Sequence, residues 1–316
     1  MVQPLPQRIC HADWSLDAKK RWLCVAERVR DSYRIAAPAP VGELTTLPER
    51  LRNPDDAAAV LLGLDCPIGI PAAYARLVGI EDFGRWLPEL GRGRWQSFFD
   101  VAREAGEIRP ERPFYPYNSQ GGRRRAQLLD GLGLADNDDL LRRCERRTGT
   151  RVSAAESLFW TLGAKQVGKA AISAWRDFLQ PAVAEAPTAR LWPFDGDLES
   201  LCASPGLIIA ETYPAESGLH VGLPPAGRGW SKQKSADRAA RGAEIVAWAE
   251  RRGVTLGAEL VAQINDGFGP HKSGEDPFDS LVGVAGMLEV MLGYRPDSPA
   301  LSAVEKRIEG WIFGQS

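Results

Sequence analysis

The chain has 316 residues, of which 44% are hydrophobic and 25% are charged. These proportions are ordinary for a globular protein and exclude wholesale disorder, and the length suffices for about two domains. The net charge of −2 excludes a uniformly basic nucleic-acid-coating protein, and no apolar stretch is long enough to predict a transmembrane helix. We therefore expect no membrane partner.

The first third of the chain shows the alternation typical of a β-sheet. It predicts strands at residues 8–14 (RICHADW), 22–27 (WLCVAE) and 32–36 (SYRIA). The short connection between the first two favours an antiparallel hairpin. After a Pro-rich coil and a short helix near residues 48–56, the run VLLGLD at residues 60–65 predicts a buried central strand that is parallel to its neighbour.

Residues 83–150 have a different composition. Between residues 85 and 151 there are fourteen Arg, no Lys and ten Asp and Glu, which gives a net charge of +4 and leaves −6 for the rest of the chain. Clustered Arg side chains suit phosphate recognition, and a solvated helical surface is the alternative reading. We interpret residues 83–150 as an Arg-rich, mostly helical insertion or cap within a core made of residues 1–82 and 151–316.

The last part of the chain mixes helical and strand patterns. A long helix is predicted at residues 153–178, and strands are predicted at residues 189–194 and 206–211 (GLIIAE). Further helices are predicted at residues 234–252, 258–266 and 276–293. A hairpin, a central strand, and helices with later strands together indicate an α/β chain with a mixed sheet.

The cysteines indicate the compartment. Their number is odd, and they form neither a CxxC pair nor a zinc-like spacing with His. The five are Cys10, Cys24, Cys66, Cys144 and Cys202. The chain start, MVQPLPQRIC, lacks the basic start and apolar core of a signal peptide. We expect free thiols, four of them small core residues, and a cytoplasmic location.

Acidic residues at strand ends are the main functional signal. Asp13 lies near the end of the first strand, Asp65 closes VLLGLD, and Glu211 closes GLIIAE. The carboxyl ends of adjacent parallel strands meet at one edge, where open α/β sheets bind ligands. Asp276 and Asp279 are three residues apart and therefore share one face of the predicted C-terminal helix.

Converging carboxylates indicate a metal site because they repel one another. Each close pair costs on the order of 4 kcal/mol at an effective dielectric of about 20, and hard divalent ions such as Mg²⁺ or Mn²⁺ remove that penalty. Two such ions about 4 Å apart would support phosphodiester hydrolysis. Each acid also has a plainer reading, as a helix N-terminal acid, a turn residue or a satisfied buried acid.

Several basic side chains are candidates for binding phosphate groups, although a solvated surface role is the alternative for each. They lie in the loops before the last helices and in the triple arginine. The candidates are Lys232, Lys234, His271, Lys272, Arg123, Arg124 and Arg125. His11, in contrast, lies on an apolar strand and is interpreted as a core histidine. Trp86, Trp95 and Trp160 could stack on bases, but buried packing is the commoner use of tryptophan.

Four segments resemble the domain of unknown function 429 family, which is regarded as a group of predicted nucleases with the RNase H-like fold. They are HADWSLDAKKRWLCVAE, GLDCPIGIP, AETYPAES and EDPFDSLVGVAGM, in this order. The resemblance covers residues 8–80 and 190–293, and the Arg-rich segment has no counterpart. The residues around the first acid (His11, Ala12 and Trp14) depart from the family pattern, which often has Gly and Ile-Asp there.

The resemblance implies an RNase H-like mixed five-stranded sheet flanked by helices, with a helical insertion. It also implies that Asp13, Asp65 and Asp279 bind Mg²⁺ or Mn²⁺, with Asp276 and Glu211 completing the catalytic set. The expected function is therefore metal-dependent hydrolysis of nucleic acid, either DNA or RNA.

Two other functions remain open. One is a non-catalytic nucleic-acid-binding or scaffold protein with a degenerate site. The other is an actin-like small-molecule kinase, which needs a Gly-rich phosphate loop after the first-strand acid. Asp13 is instead followed by WSLDAK, which contains no glycine. The oligomeric state is not predicted.

Overall fold

The structure is a computed structural model that describes residues 4–52, 58–118, 122, 124–146, 156–162, 167–185, 189–270 and 272–316. In these residues one eight-stranded mixed sheet is flanked by helices. The strands are β1 (Arg8–Asp13), β2 (Trp22–Val29), β3 (Ser32–Ile35), β4 (Ala39–Pro40), β5 (Ala59–Leu64), β6 (Ala189–Leu191), β7 (Gly206–Glu211) and β8 (Thr255–Leu256). The strand order is β6-β7-β5-β1-β2-β3-β8, and β4 pairs with β2.

Strand direction divides the sheet into two parts. β2 is antiparallel to β1, β3 and β4. The pairs β1 with β5, β5 with β7, β6 with β7, and β3 with β8 are parallel. The predicted hairpin and the predicted parallel central strand are thus both confirmed. Every residue of β5 and β7 is buried, which explains their almost continuous apolar sequences.

The helices cover both faces of this sheet. The α-helices are α1 (Leu47–Leu51), α2 (Ala72–Val78), α3 (Phe83–Trp86), α4 (Arg125–Leu132), α5 (Val167–Ala174), α6 (Gln180–Glu185), α7 (Leu198–Cys202), α8 (Pro214–His220), α9 (Ser235–Ala240), α10 (Gly242–Arg252), α11 (Ala258–Asp266) and α12 (Glu275–Met291). Two π-helical turns lie at Trp175–Leu179 and Glu305–Glu309. Short 3₁₀ turns lie at Ala18–Lys20, Leu87–Glu89, Gly93–Trp95, Ala105–Glu107, Asn137–Leu140, Arg143–Glu145 and Lys272–Gly274.

Two predictions about elements are wrong. The sheet has eight strands rather than five, partly because the edge strands β4 and β8 have only two residues each and leave no pattern in the sequence. The helix predicted at residues 153–178 begins at Val167 among the described residues, because residues 156–162 form turns and a bridge to Tyr115. Residues 153–155 and 163–166 lie outside the described residues.

The described part of the Arg-rich segment contains α3, α4 and several 3₁₀ turns, separated by irregular chain. Its aromatic side chains belong to the same hydrophobic cluster as one face of the sheet, where Phe98 packs against Trp86, Trp95 and Phe114. Because of this shared cluster the segment is packed onto the sheet. Its assignment as a separate cap stays a prediction.

None of the described helices combines the length and apolar character needed to span a bilayer. All five cysteines are free and buried, which confirms the packing role expected for them.

Candidate functional site

The first two acids of the site end adjacent parallel strands. Ala12 pairs with Leu64, and the amide of Asp65 donates to the carbonyl of Ala12 at 3.1 Å, so that Asp65 continues the ladder beside Asp13. Neighbouring strands are about 4.8 Å apart, and paired residues point to the same face of a sheet. Asp13 and Asp65 therefore lie side by side on one face.

Helix α12 lies directly on this face because two glycines allow a close approach. A Cβ atom added at Gly283 would lie 2.3 Å from the ring of His11, and one added at Gly63 would lie 2.6 Å from Sδ of Met287. His11 occupies the strand position two residues before Asp13. Asp279 occupies the helix position one turn before Gly283. The contact that places His11 against Gly283 thus brings Asp279 toward Asp13.

The electrostatics of Asp13 show that the acids are close to one another. Burial raises the pKa of Asp13 well above its ordinary value. The carboxylates of Asp279, Asp65 and Asp276 raise it further, in that order, and Lys232 lowers it. The structure thus brings together four of the five acids predicted to be catalytic.

Lys232 is the cation inside this group of acids. Its Nζ donates to both carboxylate oxygens of Asp279, at 2.7 and 2.6 Å. Burial lowers the pKa of Lys232, but the pairing with Asp279 together with the nearby carboxylates of Asp65 and Glu275 outweighs burial, and the net shift of the pKa is upward. The prediction that Lys232 binds phosphate stays untested, and in the structure its ammonium group is engaged with a carboxylate.

Asp276 lies at the more open end of the group. Burial raises its pKa to about 6, and the neighbouring Lys20 and Lys272 act in the opposite direction. Lys272 is exposed beside the start of α12, and Lys234 is exposed just before α9. Their predicted contact with phosphate stays a prediction.

The donor chemistry of the four carboxylates fits a hard divalent cation. In the described part of the chain, however, no group of three or more His, Cys, Asp or Glu side chains converges closely enough to hold a metal ion. Both oxygens of the Asp279 carboxylate face the ammonium group of Lys232.

Glu211 has different partners from those expected of a metal ligand. Its two carboxylate oxygens accept hydrogen bonds from Nη1 and Nη2 of Arg142, both at 2.6 Å, and one also accepts from the amide of Ile68 at 2.7 Å. Arg142 is fully buried and is also paired with Glu145. These contacts favour a structural role for Glu211, and its predicted catalytic role stays a prediction.

The triple arginine is described only in part. Arg123 and His271 lie outside the described residues. Arg124 is exposed at the start of α4. Arg125 forms an ion pair with Glu156 and lies over the ring of Trp160. Trp86 and Trp95 are buried in the core, which excludes them as surfaces for base stacking in this conformation.

A basic cleft of about 550 Å³ opens beside the loop that follows β1, and the sequence analysis did not identify it. The insertion, α5 and the π-helical turn that follows it supply the charged and aromatic lining: Arg103, Arg112, Lys169, Arg176, Asp100, Phe99 and Tyr117. The only signal available in the sequence was the spacing of positions 169, 172 and 176, which places them on one helical face.

Comparisons with known proteins give no further identification: no family model, no curated protein and no solved structure matches the chain.

Proposed function

We propose that this protein is a Mg²⁺- or Mn²⁺-dependent nuclease that hydrolyses phosphodiester bonds of nucleic acid, and that it acts in the cytoplasm. The observation that carries the proposal is the proximity of Asp13, Asp65, Asp276 and Asp279 at one edge of the sheet, where three of these carboxylates raise the pKa of the fourth. Carboxylates that lie close together at strand ends repel one another unless cations balance their negative charge.

A bound divalent ion would polarise the scissile phosphodiester and help to generate the attacking hydroxide. The carboxylates on the two strands and on α12 would hold it, because they are hard oxygen donors on rigid elements. The exposed Lys272, beside α12, would orient the phosphate backbone.

The strand and helix positions of these acids support an RNase H-like architecture. The resemblance implies an acid on the first strand, an acid on the fourth strand, and one or two acids on the last helix; Asp65 follows the fifth strand in chain order, because the two-residue β4 precedes it. Asp13 ends β1, Asp65 follows the parallel neighbour β5, and Asp276 lies in the first turn of α12.

A nucleic-acid substrate is supported by the basic cleft. Among the described residues neither Arg103 nor Lys169 forms an ion pair, and Arg103 stacks on the half-exposed ring of Tyr117. Cations beside an aromatic ring suit a phosphate backbone with unstacked bases.

The test is a cleavage assay with single- and double-stranded DNA and RNA, in Mg²⁺, in Mn²⁺ and in excess chelator. We expect cleavage only with the ions, and a loss of more than about 100-fold in Asp13→Asn and Asp65→Asn. Asp31→Asn, in the exposed turn between β2 and β3, is the matched control and should retain full activity. Absence of metal-dependent cleavage of all four substrates would contradict the proposal.

A non-catalytic nucleic-acid-binding protein is the second candidate, and the Lys232–Asp279 pair favours it because an internal ammonium already offsets part of the acidic charge. Such a protein would bind nucleic acid equally well in metal and in chelator. It would cleave none of the four substrates.

A further inference from the structure

The basic cleft between the insertion and α5 contains cations that are not neutralised by an acidic side chain. Arg103 and Lys169 line it, and neither forms an ion pair with any of the described residues. Arg112 and Arg176 line it as well, but each is already paired with an acid. The lining also includes the exposed carboxylate of Asp100. The two unpaired cations outnumber this carboxylate, so the cleft keeps an excess of positive charge for an anionic ligand.

An exposed aromatic ring lies beside these cations. Tyr117 is 52% exposed, and the guanidinium of Arg103 lies 4.7 Å from the centre of its ring. The cleft volume of about 550 Å³ is within the roughly 300–1,000 Å³ that is typical of ligand sites. Guanidinium groups bind phosphate, and exposed aromatic rings stack on nucleobases. The cleft therefore offers partners for both parts of a nucleotide at one place.

The loop that follows β1 connects the cleft to the acidic residues. Leu16 lines the cleft and stands three residues after Asp13, so the Cα atoms of the two are at most about 11 Å apart. Ser173 of α5 accepts hydrogen bonds from the indole of Trp14 at 2.9 Å and from the guanidinium of Arg21 at 3.0 Å. These bonds hold the loop against α5, which supplies one wall of the cleft. A polyanion bound in the cleft therefore passes close to Asp13.

We propose that this cleft binds single-stranded nucleic acid, with backbone phosphates on Arg103 and Lys169 and an unpaired base on the ring of Tyr117. A duplex keeps its bases paired and stacked inside, so it cannot place a base on this ring while its phosphates contact the neighbouring cations. Every nucleotide carries a phosphate and a base that can stack, so the cleft accepts both DNA and RNA. This inference rests on the nuclease function proposed above and names the form of its substrate.

The test measures binding of the full chain to labelled oligonucleotides in excess chelator, where metal-dependent cleavage does not occur. The probes are oligo-dT, oligo-U of the same length, and the duplex of oligo-dT with oligo-dA. We expect both single strands to bind about tenfold or more tightly than the duplex. Equal affinity for the duplex would overturn the inference. Thymidine monophosphate that binds as tightly as oligo-dT would also overturn it, because the ligand would then be a single nucleotide.

Replacement of Tyr117 tests the stacking contact. Tyr117→Ala should weaken binding of oligo-dT about 5- to 100-fold and change its salt dependence little. Tyr117→Phe keeps the ring and should bind within about twofold of the wild type. Tyr294→Ala is the matched control, because Tyr294 follows α12, is also 52% exposed and has the guanidinium of Arg252 over its ring. Wild-type affinity in Tyr117→Ala, or an equal loss in Tyr294→Ala, would overturn the inference.

Replacement of Lys169 tests the phosphate contact. Lys169→Ala should weaken binding and should reduce the slope of log affinity against log salt by about 0.7, which corresponds to one phosphate of a single strand. Lys306→Ala removes an exposed lysine from the π-helical turn at Glu305–Glu309 and should leave the slope unchanged. An unchanged slope in Lys169→Ala would overturn the inference.

The outcomes separate this inference from the proposed function. Metal-dependent cleavage without any preference for single strands would overturn the inference and leave the nuclease function standing. Single-strand binding that depends on Tyr117, together with no cleavage in Mg²⁺ or Mn²⁺, would support the cleft as a binding site and contradict the nuclease function.

Discussion

Burial changes the chemistry of individual side chains on β1, and His11 is the clearest case. Its ring is fully buried against Gly283, and neither ring nitrogen has a hydrogen-bond partner among the described residues. Burial disfavours the charged imidazolium and lowers the pKa of His11 to about 3. The glycine on the facing helix leaves the space that this ring occupies.

His11 should make the protein less stable in acid. Between pH 6.5 and about 3, His11 is protonated in the unfolded chain but stays neutral in the folded chain. The free energy of unfolding therefore falls as the pH is lowered. The slope from this group is about 1.4 kcal/mol per pH unit. Urea unfolding of the wild type and His11→Asn between pH 7.5 and 4.5 measures the difference.

The two stability curves should run parallel above pH 6.5 and diverge below it, with the wild type losing stability faster. The burial of Asp13 and Asp276 raises their pKa values and acts in the opposite direction, but it does so in both proteins. Equal slopes for the two proteins below pH 6.5 would contradict this account of His11.

At the level of elements, the distance between α12 and the sheet depends on residues without side chains. Gly283 lets the helix approach β1, and Gly63 lets Met287 of the helix approach β5. The acids of α12 lie close to Asp13 and Asp65, at the ends of β1 and β5, only because the helix approaches the sheet this closely.

Gly283→Ala should destabilise the protein by about 1–3 kcal/mol, since the added Cβ would overlap the ring of His11. Gly218→Ala in α8 is the control, because its added Cβ meets its nearest neighbour at an ordinary 3.6 Å. That change should be neutral or stabilising by up to about 1 kcal/mol, as expected from helix propensity. Thermal unfolding of both variants makes the comparison, and equal effects would contradict the close-approach argument.

The elements that could be predicted from the sequence are those whose patterns are local. The buried strands β5 and β7 are apolar throughout, and β1 is separated from β2 by a short connection. Residues 156–162 fall within the predicted helix because Phe159 and Leu162 are spaced like one face of a helix, whereas Phe159 packs with Leu158 into the core under the insertion. Their backbone pairs with Tyr115 instead: its amide donates to Phe159 at 2.9 Å, and its carbonyl accepts from Thr161 at 3.0 Å.

At the scale of the whole molecule, Arg142 joins segments that are far apart in the chain. Its guanidinium is fully buried and donates to Glu145, Glu211 and the carbonyl oxygens of Ile68 and Glu309. One side chain of the Arg-rich segment thus connects the loop after β5, the end of β7 and the C-terminal tail.

Arg142→Met should destabilise the protein by about 3–5 kcal/mol, because it leaves the buried carboxylates of Glu145 and Glu211 without their cation. Chemical unfolding measures this loss. Arg92→Met, at an exposed position of the same segment, should have almost no effect. Replacing Glu145 and Glu211 with Gln in the Arg142→Met background should recover part of the stability. A loss no greater than that of Arg92→Met would contradict the role assigned to Arg142.

The candidate site was predictable from the sequence only as a set of acids. Asp13 and Asp65 stand at strand ends, and that pattern is visible in the chain. The partners of the other acids are not visible, because Lys232 lies 47 positions before Asp279 and Arg142 lies 69 positions before Glu211. Which carboxylate meets which cation depends on the loops, and loop conformations have no periodic signature.

The packing of α12 on β1 also has a consequence for folding of the chain during translation. A ribosome that has released β1 to β5 has already made Asp13 and Asp65, but Lys232 and the helix acids emerge only after most of the chain has been translated. Contacts between such distant positions form late, because closing a long loop costs entropy. The nascent chain therefore carries the carboxylates of Asp13 and Asp65 before Lys232 has been made. A chain truncated before α12 lacks the helix acids and never forms the complete site.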